Sequence, residues 1–267
     1  MLIDTHCHLD AAEFSGTGEQ LAQAARQHGV QRIVIPAVCR DNFEQVAQLG
    51  HCGGYALGIH PLYVRAAGDT DLAYLRSAVE EAMSDQFFVA VGEIGLDFFV
   101  PELCTPEMRA RQNHFYREQL RIARDFHLPV LLHVRRSVDQ ILQGLRQIPV
   151  PGGIAHAFNG SEQQARMLIE LGFKLGFGGA MTYTRALHIR RLAGSLPLSS
   201  IVLETDAPDI PPSWITSGPN SPDQLSGIAR SLAALRVLPS EEIAAATTAN
   251  AMAVLPRLAL DADQLSQ

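Results

Sequence analysis

Lysine is almost missing from this sequence: Lys174 is the one lysine, so the other 20 of its 21 basic residues are arginine. The planar fork of arginine suits bidentate contacts to phosphate, although a genome-wide codon bias produces the same skew. Positive charge is scarce overall, with 21 basic residues against 28 acidic ones and a net charge of −7. That excludes the basic footprint of a protein coating long duplex DNA. It leaves room for a local phosphate site made positive by bound metal. Cysteine is sparse too. Cys7, Cys39, Cys52 and Cys104 form no C-x-x-C pair, which predicts reduced cytosolic thiols and no disulfide framework. No apolar run approaches the ~20 residues of a membrane span. "MLIDTH" opens without the basic and apolar segments of a secretory leader. The expectation is a cytoplasmic protein with no membrane attachment and no obligate protein partner. Linkers, internal repeats and low-complexity stretches are also lacking, which predicts one domain over residues 1–267.

What is present is a regular series. Hydrophobic residues make up 47% of the 267 residues and charged ones 18%, the profile of a soluble globular enzyme. A chain of this length can bury roughly three quarters of its unfolded surface without disulfide staples. Eight short β-rich runs recur along it: "MLIDTH", "RIVIPA" (32–37), "YALGIH" (55–60), "FVAVGEIG" (88–95), "PVLLHV" (129–134), "GIAHAF" (153–158), "FKLGFG" (173–178) and "SIVLETD" (200–206). Helical stretches separate most of them: 18–29, 42–50, 71–83, 109–127, 161–172 and 184–196. Further helices follow at 223–237 and 240–259. Several start after Ser, Thr or Asp and stop at Gly, as capped helices do. Alternating strand and helix implies a parallel sheet, and eight strands imply a closed (β/α)8 TIM barrel.

The stretch "DTHCHLD" places His6 and His8 two residues apart. In extended chain both point to one face, with Cys7 pointing away. Paired neutral imidazoles fill a core poorly, because each has a polar nitrogen that needs a partner. They suit a divalent metal, or else a polar strand end with two hydrogen-bonded histidines. Other strand ends carry the same chemistry: His60, Glu93, His133, His156 and Asp206. A barrel gathers these ends at its C-terminal mouth, where catalytic residues sit. The remaining histidines, His28, His51, His114, His127 and His188, fall on helices or loops and are expected in solvent. The set His6, His8, Glu93, His133, His156 and Asp206 is rich in nitrogen and oxygen and has no thiolate. It suits Zn, Mn, Mg or a similar ion. Six ligands exceed what one catalytic ion with an open position needs. They fit two ions about 3.5–4 Å apart with a bridging carboxylate, for which Glu93, central in strand order, is the candidate.

Together "DTHCHLD", "GIHP", "VAVGEIGLDFF", "LPVLLHVRRS", "HAFNGS", "LETDAP" and "TTANAMAVL" resemble the successive motifs of the TatD-related deoxyribonucleases, metal-dependent hydrolases of the amidohydrolase superfamily. The resemblance runs from residue 3 to about residue 255, with the YjjV-like branch most similar. It implies a TIM barrel, divalent metal, and hydrolysis of DNA phosphodiesters, often from the 3′ end. The family's metal ligands fall on the same six residues, and the histidine of its G-x-H-P motif falls on His60. Two positions depart from the pattern. Val134 stands where many members have serine, and "SGPNSPDQL" has Gly218 and Pro219 ahead of Asn220 where many have an arginine. The altered loop bears on how a nucleic acid is gripped more than on metal chemistry.

The expected reaction is metal-assisted hydrolysis, with Asp206 as general base and Glu93 as the bridge. Arg135 can reach the mouth, where its fork would fit a phosphate; a solvent-exposed arginine opening a helix is the alternative, and Arg136 is expected to face outward. His60, Asn159, Ser161 and Tyr183 are further candidates for substrate or supporting contacts. The expected substrate is DNA in single-stranded or frayed form, since no extended basic track exists for duplex. A small-molecule amidohydrolase or phosphoesterase on the same binuclear site is the alternative. Its common carboxylated lysine on strand four is excluded, because the only lysine is Lys174 on strand seven. A non-catalytic metal- or nucleic-acid-binding barrel is the other reading; turnover separates it from an enzyme.

Overall fold

The computed structural model describes residues 1–258; the end of the expected 1–267 domain and residue 259 of the last expected helix lie outside the described residues. Eight parallel strands form one sheet in sequence order: β1 (Leu2–Asp4), β2 (Val30–Pro36), β3 (Gly53–Leu57), β4 (Phe88–Asp97), β5 (Val130–Arg135), β6 (Gly153–Ala155), β7 (Phe173–Phe177) and β8 (Ile201–Leu203). Backbone bonds just beyond the first and last strands draw the seam together: Thr5 N–H donates to Leu203 O at 3.1 Å, and Asp206 N–H to His6 O at 2.8 Å. The result is a nearly closed (β/α)8 TIM barrel, as the eight apolar runs imply. Such strands are buried on both faces and therefore read as continuous apolar runs.

The outer helices are α1 (Gly18–Gln27), α2 (Phe43–Gln48), α3 (Asp69–Ala82), α4 (Pro106–Asp125), α5 (Val138–Gln147), α6 (Glu162–Glu170), α7 (Leu187–Ser195), α8 (Leu225–Arg236) and α9 (Ser240–Val254). α5 has no counterpart among the expected helices. Its buried Val138, Ile141, Leu142 and Leu145 nevertheless follow the i, i+3, i+4, i+7 spacing of a helix face. α4 begins three residues before the expected 109, because Thr105 caps Met108 N–H at 3.2 Å and Pro106 suits the first turn. No described helix is long and apolar enough to cross a membrane.

Inside the barrel, Ile3, Val34, Val89, Leu131, Ile154 and Val202 join in one apolar cluster, closed below by Val254, Leu255 and Leu258. The interior is therefore filled at its N-terminal end and leaves room for polar groups only at the opposite mouth. β4 alters its register there. Val91 pairs with Val130, but the next pair is Ile94 with Leu132, so Gly92 and Glu93 form a bulge. Bulges re-aim side chains next to active sites, and this one turns Glu93 into the mouth. Gly95 follows with φ +144°, and a Cβ there would meet His133 O at 2.1 Å. Only glycine lets β4 and β5 pass this closely beside the site.

Candidate metal centre

β1 ends at Asp4, β6 at Ala155 and β8 at Leu203, so His6, His8, His156 and Asp206 sit one to four residues past their strands rather than within them. The chain stays extended after β1, with Cys7 N–H donating to Val34 O at 3.1 Å. The two-residue alternation consequently persists. His6 and His8 both turn toward Glu93, while Cys7 is fully buried with its thiol on Ala207 O at 3.7 Å. Beyond β5, β6 and β8 the chain turns sharply, with φ +55° at Arg136, +44° at Ala157 and +56° at Asp206.

Glu93 is the hub. Its Oε2 lies 3.2 Å from His6 Nε2 and 3.7 Å from His8 Nε2. Its Oε1 lies 3.0 Å from His133 Nδ1, 3.4 Å from His60 Nε2 and 3.6 Å from His156 Nε2. One carboxylate thus faces two groups of imidazoles, which meet where His6 and His156 stack with ring centroids 3.9 Å apart. Asp206 Oδ1 closes the first side, at 3.7 Å from His6 Nε2 and 3.8 Å from His8 Nε2. Three sets converge tightly enough to hold an ion: His6, His8 and Glu93; His60, Glu93 and His133; His6, His156 and Asp206.

The surrounding bonds assign the ring protons. Asp97 Oδ2, fully buried, accepts from His133 Nε2 at 3.0 Å, which leaves Nδ1, 3.0 Å from Glu93 Oε1, as the nitrogen that could offer a lone pair to a metal. A carboxylate behind a histidine is the usual support of a metal-binding imidazole. His60 behaves differently. Leu62 N–H donates to its Nδ1 at 3.1 Å, so its proton is on Nε2, the nitrogen that faces Glu93 and His133. It therefore enters the cluster as a hydrogen-bond donor. Behind His156 stands Glu204, whose Oε1 is 3.4 Å from Nδ1 and accepts from Ala157 N–H at 2.5 Å. Glu204 fits only because residue 176 is glycine: a Cβ there would lie 2.0 Å from Glu204 Oε2.

Asp97 and Glu204 were not among the sequence candidates. Both follow the period-two spacing that singles out His6 and His8: Glu93 to Asp97 along β4, and Glu204 to Asp206 after β8. Burial holds the His6 pKa down at about 3 and that of His60 at about 4, keeping both rings neutral. Burial raises Asp206 to about 6 against the pull of His156 and His8. At Glu93 burial also works upward, but His60, His6 and His156 outweigh it and hold the carboxyl well below its usual range. At His156 burial pulls down, and Asp206, Glu204 and Glu93 overcome it to push the ring up to about 10.

Glu93, Asp97, Glu204 and Asp206 are thus packed among five imidazoles, and among the described residues Arg135, 3.8 Å from Asp97, is the one lysine or arginine paired with them. His6 Nδ1, His156 Nδ1 and Glu204 Oε2 are buried with no hydrogen-bond partner. The raised pKa of His156 gives these carboxylates an imidazolium as partial counter-charge; bound divalent cations would replace it and offset the rest of the clustered negative charge. The donor set fits a divalent metal.

The cluster floors a cleft of about 1340 Å³. Arg135 and Asn159 line it, both exposed. Arg136, expected to face outward, lines it as well. The structure does not bring Ser161 or Tyr183 to the cleft. Ser161 caps α6, its Oγ accepting from Gln164 N–H at 3.1 Å, and Tyr183 donates to Pro211 O at 3.1 Å. Asn220, in the departing loop, is fully buried and donates to Thr205 O at 2.8 Å and Asp209 O at 2.9 Å, clamping the segment that carries Asp206. Lys174 is on β7 outside the cleft, its ammonium on Ser199 O. His28, His51, His114, His127 and His188 are exposed.

Comparison with known proteins agrees with this geometry. The family described as TatD related DNase matches residues 3–256. The chain is 41% identical over 254 residues to the uncharacterized metal-dependent hydrolase YjjV of Escherichia coli K12, covering 93% of this chain and 95% of that one. An uncharacterized metal-dependent hydrolase of Haemophilus influenzae is 39% identical over 258 residues, at 93% and 97% coverage. The crystal structure of YjjV superposes with a TM-score of 0.89 at 40% identity, covering 96% and 98% of the two chains. A TatD family hydrolase from Entamoeba histolytica shares the fold, with a TM-score of 0.81 at 18% identity over 95% and 97% of the chains. A His–Glu–Asp cluster at the mouth of a (β/α)8 barrel, and a sequence that matches the family over residues 3–256, place the chain in the TatD family of metal-dependent hydrolases.

Proposed function

We propose that this protein is a deoxyribonuclease that hydrolyses DNA phosphodiesters with two divalent ions, removing nucleotides from a 3′ end. The observation that carries the reading is the division of Glu93, whose two oxygens face different histidine groups. In this reading His6, His8 and Asp206 would hold one ion and His133 and His156 the other, with Glu93 shared between them. When bound, such ions supply positive charge to the phosphoryl oxygens and lower the pKa of the attacking water. The chain does the rest. Asp206, held by its N–H on His6 O, takes the proton of the water. His60 directs its Nε2–H into the site, where it can donate to a phosphate oxygen. Asp97 and Glu204 hold the histidines behind them in one orientation.

The size of the cleft favours a polymer over a small molecule. Pockets for small ligands are ~300–1,000 Å³, and this one is larger and open. The charge favours frayed or single strands. With a net charge of −7 there is no track for duplex, and an unpaired end costs no unpairing. Matched single-stranded and blunt duplex oligonucleotides, assayed at equal salt with Mn or Mg, test this. Faster release of nucleotides from the single strand is the expected result; faster cleavage of blunt duplex refutes the strand preference, and absence of phosphodiester hydrolysis with every metal refutes the nuclease.

A further inference from the structure

The positive charge of the cleft is gathered at one place. Among the described residues that line it, Arg135 and Arg136 at the end of β5 are the only lysine or arginine side chains, whereas Asp10 and Glu13 after β1, Asp139 at the start of α5 and Asp209 after β8 are acidic. The two arginines converge on one ring. Phe99, just past β4, is 43% exposed, and the guanidinium carbons of Arg135 and Arg136 lie 3.8 Å and 4.6 Å from its centroid. Cation–π attraction holds each of them there, but two like charges on one ring also repel each other. Arg136 has no carboxylate or hydrogen-bond partner among the described residues, and its φ of +55° is a conformation that a long side chain adopts at a cost. Such an arrangement leaves two planar forks ready to take one anion.

Between the arginines and the metal-binding cluster stands Asp97, 3.8 Å from Arg135 Nη1 and hydrogen-bonded to His133. We propose that Arg135, Phe99 and Arg136 form a subsite for the phosphate adjacent to the scissile one in a single-stranded substrate, a reading that rests on the nuclease function above. With Asp10, Glu13 and Asp209 acidic elsewhere on the rim, flanking phosphate is held only where the two arginines outweigh the neighbouring Asp139, whose Oδ1 accepts from Gln164 Nε2 at 2.8 Å.

Binding separates this from the nuclease itself. The probe is a fluorescein-labelled tetrathymidylate with phosphorothioate linkages, titrated by anisotropy against the Mn-loaded protein over a range of salt. Replacing both arginines (Arg135→Gln with Arg136→Gly) is expected to weaken binding roughly tenfold, as loss of charge-assisted hydrogen bonds does. It should also lower the slope of log affinity against log salt by about 0.7, the value for one phosphate contact on a single strand. Glycine adopts φ +55° freely, so the Arg136 change should leave thermal stability intact. Phe99→Leu should weaken binding with the salt slope retained, because both charges remain. Arg109→Gln, beside Phe98 and outside the cleft, should change neither. Failure of the wild type to bind, an unchanged slope in the double variant, or an equal loss in Arg109→Gln overturns the subsite. If the double variant loses affinity and slope while no DNA is hydrolysed by the wild type, the two arginines and Phe99 still bind a strand phosphate, and both the nuclease reading and the subsite's place beside a scissile phosphate fall.

Discussion

Asp97→Asn tests the least visible part of the site. Asp97 is fully buried, and its Oδ1 accepts from the backbone N–H groups of Phe99 at 2.8 Å and Val100 at 3.1 Å. Those bonds survive in asparagine, whose amide oxygen can occupy the same place. The other oxygen becomes an NH2, which donates where His133 Nε2 also donates across 3.0 Å. Two donors cannot share that contact. His133 must move its proton to Nδ1, and the nitrogen facing Glu93 then has no lone pair for a metal. Loss of such a supporting carboxylate typically weakens metal affinity 10–100-fold, or about 1.4–2.7 kcal/mol. Competition against a chromophoric chelator measures the affinity, and nitrogen-edge NMR of His133 reports the tautomer. The expected result is weaker binding of one ion with the barrel folded and the proton on Nδ1. Metal affinity within about threefold of wild type, with the proton still on Nε2, refutes the reasoning.

Asp206→Asn should retain more metal than Glu93→Gln yet hydrolyse phosphodiesters poorly, because an amide oxygen is a weak ligand and cannot take a proton; near-normal rates, measured beside metal content, would place the base elsewhere. Chelation should lower the melting temperature, since it removes a ligand that binds the folded site and not the unfolded chain. For a ligand at 100 times its Kd the stabilisation is about 2.7 kcal/mol, or on the order of 5–10 °C for a domain of this size. Calorimetry with and without EDTA checks it, and an unchanged melting temperature contradicts it.

The barrel was legible because parallel strands buried on both faces leave uninterrupted apolar runs, and because the histidines recur at the ends of those runs. Strand limits were less legible. The runs "GIAHAF" and "SIVLETD" continue past β6 and β8, since His156 and Asp206 are held by turns at positive φ that no apolar pattern records. The bulge at Gly92 and Glu93 is likewise a matter of pairing with β5, which a single run does not contain. Asp97 and Glu204 escaped notice for a different reason. Each stands near a stronger acidic candidate in its run, and its role lies in facing a histidine some 40 residues away. Ser161 shows the reverse error of emphasis: with Gln164 three residues on, it forms a capping box, and local helix chemistry accounts for it fully. Asn220 was read as part of a substrate loop, whereas burial makes it a clamp on the backbone around Asp206.

The division of Glu93 between two histidine groups is the centre of the account, and metal stoichiometry tests it most directly. Elemental analysis of the wild type and of Glu93→Gln, both saturated with Mn or Zn and freed of excess, counts the ions without reference to any substrate. The amide keeps the shape of the bridge and one ligand oxygen but removes the charge that holds two cations together. Two ions per chain in the wild type and one in the variant, with folding preserved, is the predicted result. A single ion in the wild type, or two retained in Glu93→Gln, contradicts the bridge.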